Sequence, residues 1–158
     1  MNRRISRASL LLAIVLAMFT AFAGLGAASA QTSDEDAIKD VVMRFNTASE
    51  EATDARDMSV ERDLTTDRYF REMSAEMQAG WRDGIVSVSM LRLEWGPIVV
   101  TGDTATATTF ETWAIALDDG TTGQLPPTRN VYRLVREGGS WKVDADEHPD
   151  DVPSMPMI

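Results

Sequence analysis

The sequence predicts an α+β domain in which N-terminal helices pack on a curved antiparallel sheet of about four strands. Two observations carry this reading. Apolar residues recur at spacings of three and four as far as Gly80, and from Ile85 onward the period drops to two. Glycine- and aspartate-rich turns then punctuate the second half at short, hairpin-like intervals, as an antiparallel meander requires. No internal repeat and no second domain is visible.

Ser33-Asp34-Glu35-Asp36 resembles a capping box with Asp in its third position, and acids in a first turn suit the positive end of a helix dipole. Ala37, Ile38, Val41, Val42, Phe45 and Ala48 follow on one stripe, so a helix is expected to end between Glu51 and Asp57. A faint pattern over Asp57 to Asp63 suggests a short helix. A further helix follows Thr65-Thr66, with Tyr69, Phe70, Met73 and Met77 on one face and Gly80 as its stop.

Ile85 to Trp95 reads as the first strand, which Gly96-Pro97 interrupts, and Thr101-Gly102-Asp103 forms a turn. Thr104 to Leu117 is a long strand closed by Asp118-Asp119-Gly120, and Thr121 to Pro127 is a loop by composition. Asn130 to Arg136 and Trp141 to Ala145 are joined through Glu137-Gly138-Gly139-Ser140 as a hairpin. The tail 149–158, with its prolines and acids, is expected to be disordered.

The first thirty residues are read separately. Arg3, Arg4 and Arg7 form a basic region, Leu10 to Phe22 an apolar one, and Ala28-Ser29-Ala30 a small-x-small cleavage site. Residues 1–30 are thus expected to be a secretory signal peptide, and the chain to be secreted or extracytoplasmic, in a periplasm or cell envelope. An uncleaved segment would instead be a membrane anchor. Cleavage shortens the chain from 158 to 128 residues and, removing three arginines and no acid, takes the formal net charge from −10 to −13. A polyanion repels nucleic-acid phosphates and anionic lipid, so a nucleic-acid partner is not expected. With no cysteine, disulfides, thiol catalysis and thiolate metal sites are excluded, and the apolar core must hold the domain.

Asn130-Val131-Tyr132-Arg133-Leu134-Val135-Arg136, a glycine turn and Trp141-Lys142-Val143 together resemble the closing hairpin of the nuclear transport factor 2-like superfamily. With Ala107-Thr108-Thr109-Phe110-Glu111-Thr112-Trp113 added, the pattern is most similar to the intermembrane-space domain of plastid division proteins, over Val60 to Glu147. The resemblance implies a cystatin-like cone over 31–148: a bent sheet wraps a long helix and leaves a pocket at its open end. Enzyme members resembling polyketide cyclases and ketosteroid isomerases place an Asp or Glu base there with a Tyr, Asp or His partner. Other members use the fold for protein contacts or ligand capture, and many pair through their sheets, so a homodimer is a possible partner state.

Glu111 shares a strand face with Thr109, Trp113 and Ile115, and one of two registers turns that face toward the pocket. It could serve there as a base, pair across the sheet with Arg133 or Arg92, or simply face water. Glu111, Trp113, Tyr132 and Arg133 are the expected ligand-binding residues. His148 is the only imidazole and sits among Asp146, Glu147, Asp150 and Asp151, a run read as a solvated acidic tail because it lacks the glycine bend of a calcium loop. No catalytic triad, phosphate loop, metal site or cofactor is expected. Trp81, Trp95, Trp113, Trp141, Tyr69 and Tyr132 divide between core and pocket wall. The expected function is a non-catalytic binding or interaction module for a protein or a small apolar ligand. The alternative is a small pocket enzyme, of isomerase, cyclase or hydratase type, in which Glu111 works with Tyr132 or His148 on an apolar carbonyl compound.

Overall fold

The computed structural model describes residues 33–149. The expected signal peptide, 1–30, and all but the first residue of the expected tail, 149–158, lie outside them. The sheet and the site lie within the unit that begins at Ala37.

Helix α1 occupies 33–55 and buries Ile38, Val41, Val42, Phe45 and Ala48 of the stripe that the spacing predicts, together with Ala52, whereas Ala37, also expected on that stripe, is exposed. Asn46 and Thr53 are buried with them. Arg56 leaves the helix with a positive φ of 57°, and Asp57 caps a 3-10 helix, Met58–Leu64, by accepting from the Ser59 N–H at 2.9 Å. Thr66 then caps α2, Asp67–Arg82: its hydroxyl accepts from the Tyr69 N–H at 3.2 Å and donates to Asp144 Oδ1 at 2.7 Å. That second bond ties the helix start to the last strand. Gly80 does not stop α2, which runs on to Arg82; Gly84 does, at a φ of +94° where a side chain would also meet Asp118 Oδ1 at 2.9 Å.

The sheet is antiparallel with order β1-β2-β4-β5, from β1 Ile85–Thr101, β2 Thr104–Leu117, β4 Thr128–Glu137 and β5 Ser140–Glu147. A short β3, Thr122–Gln124, pairs with the end of β2, where composition alone suggests a loop. Gly96-Pro97 does not end β1. The strand passes through it with a shift of register between Trp95 and Ile98, and Gly96 lies so close to Thr108 that a Cβ would sit 3.2 Å from its side chain. Pro can sit here because β1 is an edge strand and needs no second ladder.

Along β2 the residues alternate as a half-buried strand must. Ala105, Ala107, Thr109 and Glu111 are buried, while Phe110 stands 45 % exposed on the opposite face. Ala105, Ala107, Tyr132, Leu134, Trp141 and Val143 supply the sheet's part of the core, and Ile38, Val42, Phe45, Met58, Leu64 and Met73 the helical part. Phe45 is the meeting point, with ring centroids 6.2 Å from Tyr69 and 6.0 Å, edge-on, from Tyr132. Three helical segments therefore lie against one face of an open, curved five-stranded sheet. Among the described residues no helix is long and apolar enough to cross a membrane.

Candidate functional site

Where the core ends, the space between α1, α2 and the sheet opens into a cavity of about 760 Å3. Its walls are Phe45, Tyr69, Met73, Met77, Trp113, Leu125, Pro126 and Pro127. Its polar lining comes from Asn46 and Ser49 on α1, Glu76 on α2, Glu111 on β2, Asn130 on β4, and Asp146 and His148 at the end of β5. A mostly apolar wall with a few convergent polar groups is the usual composition of a small-molecule site.

Glu111 is 1 % exposed, yet its carboxylate is well provided for. Thr109 Oγ1 donates to Oε1 at 2.7 Å, Tyr132 OH at 2.8 Å and Asn46 Nδ2 at 3.3 Å, while Trp113 Nε1 donates to Oε2 at 2.9 Å. Period-two geometry brings Thr109 and Trp113 to the same strand face as Glu111. Tyr132 arrives from β4, where it pairs with Ala107, and α1 brings Asn46 from 65 residues away. All four donors are neutral. The Tyr132 hydroxyl also lies 3.0 Å from Asn46 Oδ1, and burial first, then Asp146 and Glu111, push its ionisation well above the ordinary phenol range. Tyr132 therefore stays a donor, and the cluster holds Glu111 in one position.

A second polar group lies further along the wall. Asp146 Oδ2 is 3.3 Å from Asn130 Nδ2 and 3.3 Å from His148 Nε2, and His148 Nε2 is 3.1 Å from Asn130 Nδ2. Asp146 Oδ1 is buried and has no hydrogen-bond partner among the described residues. Burial raises the Asp146 pKa; His148 and Asn130 oppose the rise, and Glu111 adds to it. The Tyr69 phenol faces the same group, and burial, then Asp146, Glu61 and Glu76, raise its pKa.

No family model and no curated protein matches the chain. Solved structures do. The intermembrane-space region of the chloroplast protein ARC6 superposes with a TM-score of 0.62 at 13 % identity, over 70 % of this chain and 92 % of that one. A nuclear transport factor 2-like superfamily protein from Salmonella enterica serovar Typhimurium gives 0.58 at 12 % identity, over 81 % and 99 %. A nuclear transport factor 2-like protein with a cystatin-like fold from Novosphingobium aromaticivorans gives 0.55 at 18 % identity, over 82 % and 90 %. The chain has the nuclear transport factor 2-like fold.

Within that fold the four residues singled out by sequence separate. Glu111 and Trp113 line the cavity. Tyr132 is fully buried behind Glu111 and touches it through its hydroxyl. Arg133 requires a correction: one residue further along β4, it faces the other side of the sheet, more than half exposed, with its guanidinium on Glu147 at 2.6 Å and 3.1 Å. The cross-sheet pairing of Glu111 with Arg133 or Arg92 is corrected with it, since Arg92 bonds to Glu94. Nor do Glu111 and His148 hydrogen-bond; His148 bonds to Asp146 and Asn130 instead. Asp146 and Glu147, read as part of a solvated tail, complete β5.

Thr109, on the Glu111 face by period two, completes the site with Asn46, Asn130 and Asp146, and of these last three the sequence held a signal for Asn46. Asn46, Ser49 and Thr53 are polar residues at spacings of three and four beside the apolar stripe of α1, a second stripe that a wholly solvated face would not need. Of the aromatic candidates, Tyr69 and Trp113 are wall, Tyr132 and Trp141 are core, and Trp81 and Trp95 pack against the core.

Proposed function

We propose that this domain is an exported ligand-binding module whose cavity captures a small, mostly apolar molecule. The observation that carries the proposal is the cavity of about 760 Å3 walled by aromatic, methionine and proline side chains, with the Glu111 network fixed into one side of it. A carboxylate that already accepts four hydrogen bonds is a rigid recognition element rather than a free base. Its donors keep the group in place whether or not the cavity is filled.

The test is saturable binding of the neutral dye Nile red, followed by its blue-shifted emission, to the full chain and to a Ser49→Trp variant that blocks the cavity. One site that is lost in the blocked but folded variant supports the proposal. Binding that does not saturate, or that the block leaves untouched, contradicts it. Export belongs to the same proposal: the amino terminus of the product recovered outside the cytoplasm should be Gln31.

A second reading is favoured by one feature. Asp146 has an oxygen without a donor and a carboxylate 3.3 Å from an imidazole, which is the arrangement of an acid–base pair facing a pocket. In a pocket enzyme Asp146 and His148, rather than Glu111, would move the proton. Asp146→Asn would then abolish turnover of a captured carbonyl compound while leaving its binding in place.

A further inference from the structure

The cavity's charge is one-sided. Glu76, Glu111 and Asp146 line it, and no Lys or Arg does among the described residues. The nearby arginines are committed elsewhere: Arg133 to Glu147 on the opposite face of the sheet, and Arg68 to Glu72 and Asp144. His148, the one basic side chain of the wall among the described residues, is 43 % exposed and bonds to Asp146 Oδ2, not to Oδ1. We infer that the ligand of this cavity is an organic cation, an ammonium group on an apolar body. The inference rests on the reading of the cavity as a binding site.

The hydrogen-bond accounting points the same way. One acceptor of this wall has no donor among the described residues. Asp146 Oδ1 is buried without one, although a carboxylate oxygen removed from water normally finds one. Glu111 Oε2 accepts from Trp113 alone, while Oε1 takes the other three donors, so a second acceptor position on Oε2 stays open. An ammonium carries three donors and a positive charge, which fit both needs. An alcohol offers one donor and no charge, and an anion offers none and is repelled by three carboxyl groups.

The apolar walls favour the same ligand. Phe45, Tyr69 and Trp113 bring aromatic rings to the wall, and Met73 and Met77 polarisable thioethers, groups that suit a cation better than an anion. The chain's formal net charge of −10 raises the local concentration of cations at the mouth.

Three fluorescent probes with one apolar body separate the contributions: 1-pyrenemethylamine, 1-pyrenemethanol and 1-pyrenecarboxylate, titrated into the full chain at mildly alkaline pH. The amine should bind about tenfold or more tighter than the alcohol, the difference one well-placed charge contact makes. The carboxylate should show no saturable binding. Asp146→Asn should weaken the amine by about tenfold and change the alcohol by less than about twofold. Glu76→Gln, at an exposed position where folding is not at risk, should weaken the amine alone by a smaller factor.

Equal or tighter binding of the alcohol, or loss of amine and alcohol together in a folded Asp146→Asn, overturns the inference and leaves the cavity a binding site. Failure of all three probes overturns the binding reading with it.

Discussion

Two glutamates in this molecule are equally buried and differently treated. Glu111, on β2, is 1 % exposed and receives four neutral donors; Glu61, on the 3-10 helix, is 0 % exposed and both its oxygens lack a hydrogen-bond partner among the described residues. The Ser49 hydroxyl lies close enough to ease a charge on Glu61, but it donates to the Phe45 carbonyl oxygen at 3.1 Å. Burial therefore dominates and raises the Glu61 pKa to about 7. Burial alone does not make a site. A buried carboxylate becomes a recognition element when the surrounding chain supplies its donors, as around Glu111, and a stability liability when it does not, as at Glu61.

The largest effect should come from emptying the provided site. Glu111→Leu leaves Thr109, Asn46 and Trp113 with buried donors and no acceptor, so urea denaturation should show a loss of about 4 kcal/mol, at about 1–3 kcal/mol per orphaned group. Tyr132 suffers less, because its hydroxyl can turn fully to Asn46 Oδ1 at 3.0 Å.

Next comes the pH dependence set by Glu61. Its folded pKa, about 7, lies above the ordinary glutamate value of 4.5, so between those limits the folded state holds more proton than the unfolded one. Stability should be highest below the lower limit, fall as pH rises through the window, and level off above the upper limit, about 3 kcal/mol lower. Asp146, raised in the same direction, adds to the fall at its acidic end. Glu61→Gln should flatten the neutral part of the profile; an unchanged slope would mean that Glu61 is solvated after all.

A smaller loss is expected for Tyr132→Phe, about 1–2 kcal/mol, since Glu111 keeps three of its four donors. The smallest is Arg133→Ala, whose partner Glu147 is also well exposed: denaturation midpoint and probe binding should both stay at the wild-type value. A loss of binding in Arg133→Ala would move the site to the other face of the sheet.

Much of the fold was legible because local patterns set it. The Thr104–Leu117 strand and, from Ile38 to Ala48, the α1 stripe appear at the expected residues, since alternation and helical spacing reflect which face meets the core. Gly96-Pro97 read as a break because the pair ends most strands; what the spacing does not reveal is that β1 is an edge. A three-residue β3 is too short to carry any period.

The site was half legible for the same reason. The neighbours of Glu111 on its own strand follow from period two, whereas Asn46 and Asp146 reach the cavity through helix packing and the end of β5, over separations that no local pattern records. Arg133 was misplaced because which of two alternating faces meets the helices is a global choice, and Tyr132, its neighbour, took the inner one.

The most direct test of the cavity as a binding site is the response of the tryptophan indole N–H signals in a 1H–15N correlation spectrum during titration with 1-pyrenemethylamine. Trp113, whose indole N–H bonds to Glu111 on the cavity wall, should shift and saturate, while Trp141, buried in the core, should not move. A still Trp113, or equal shifts at both, would contradict the account.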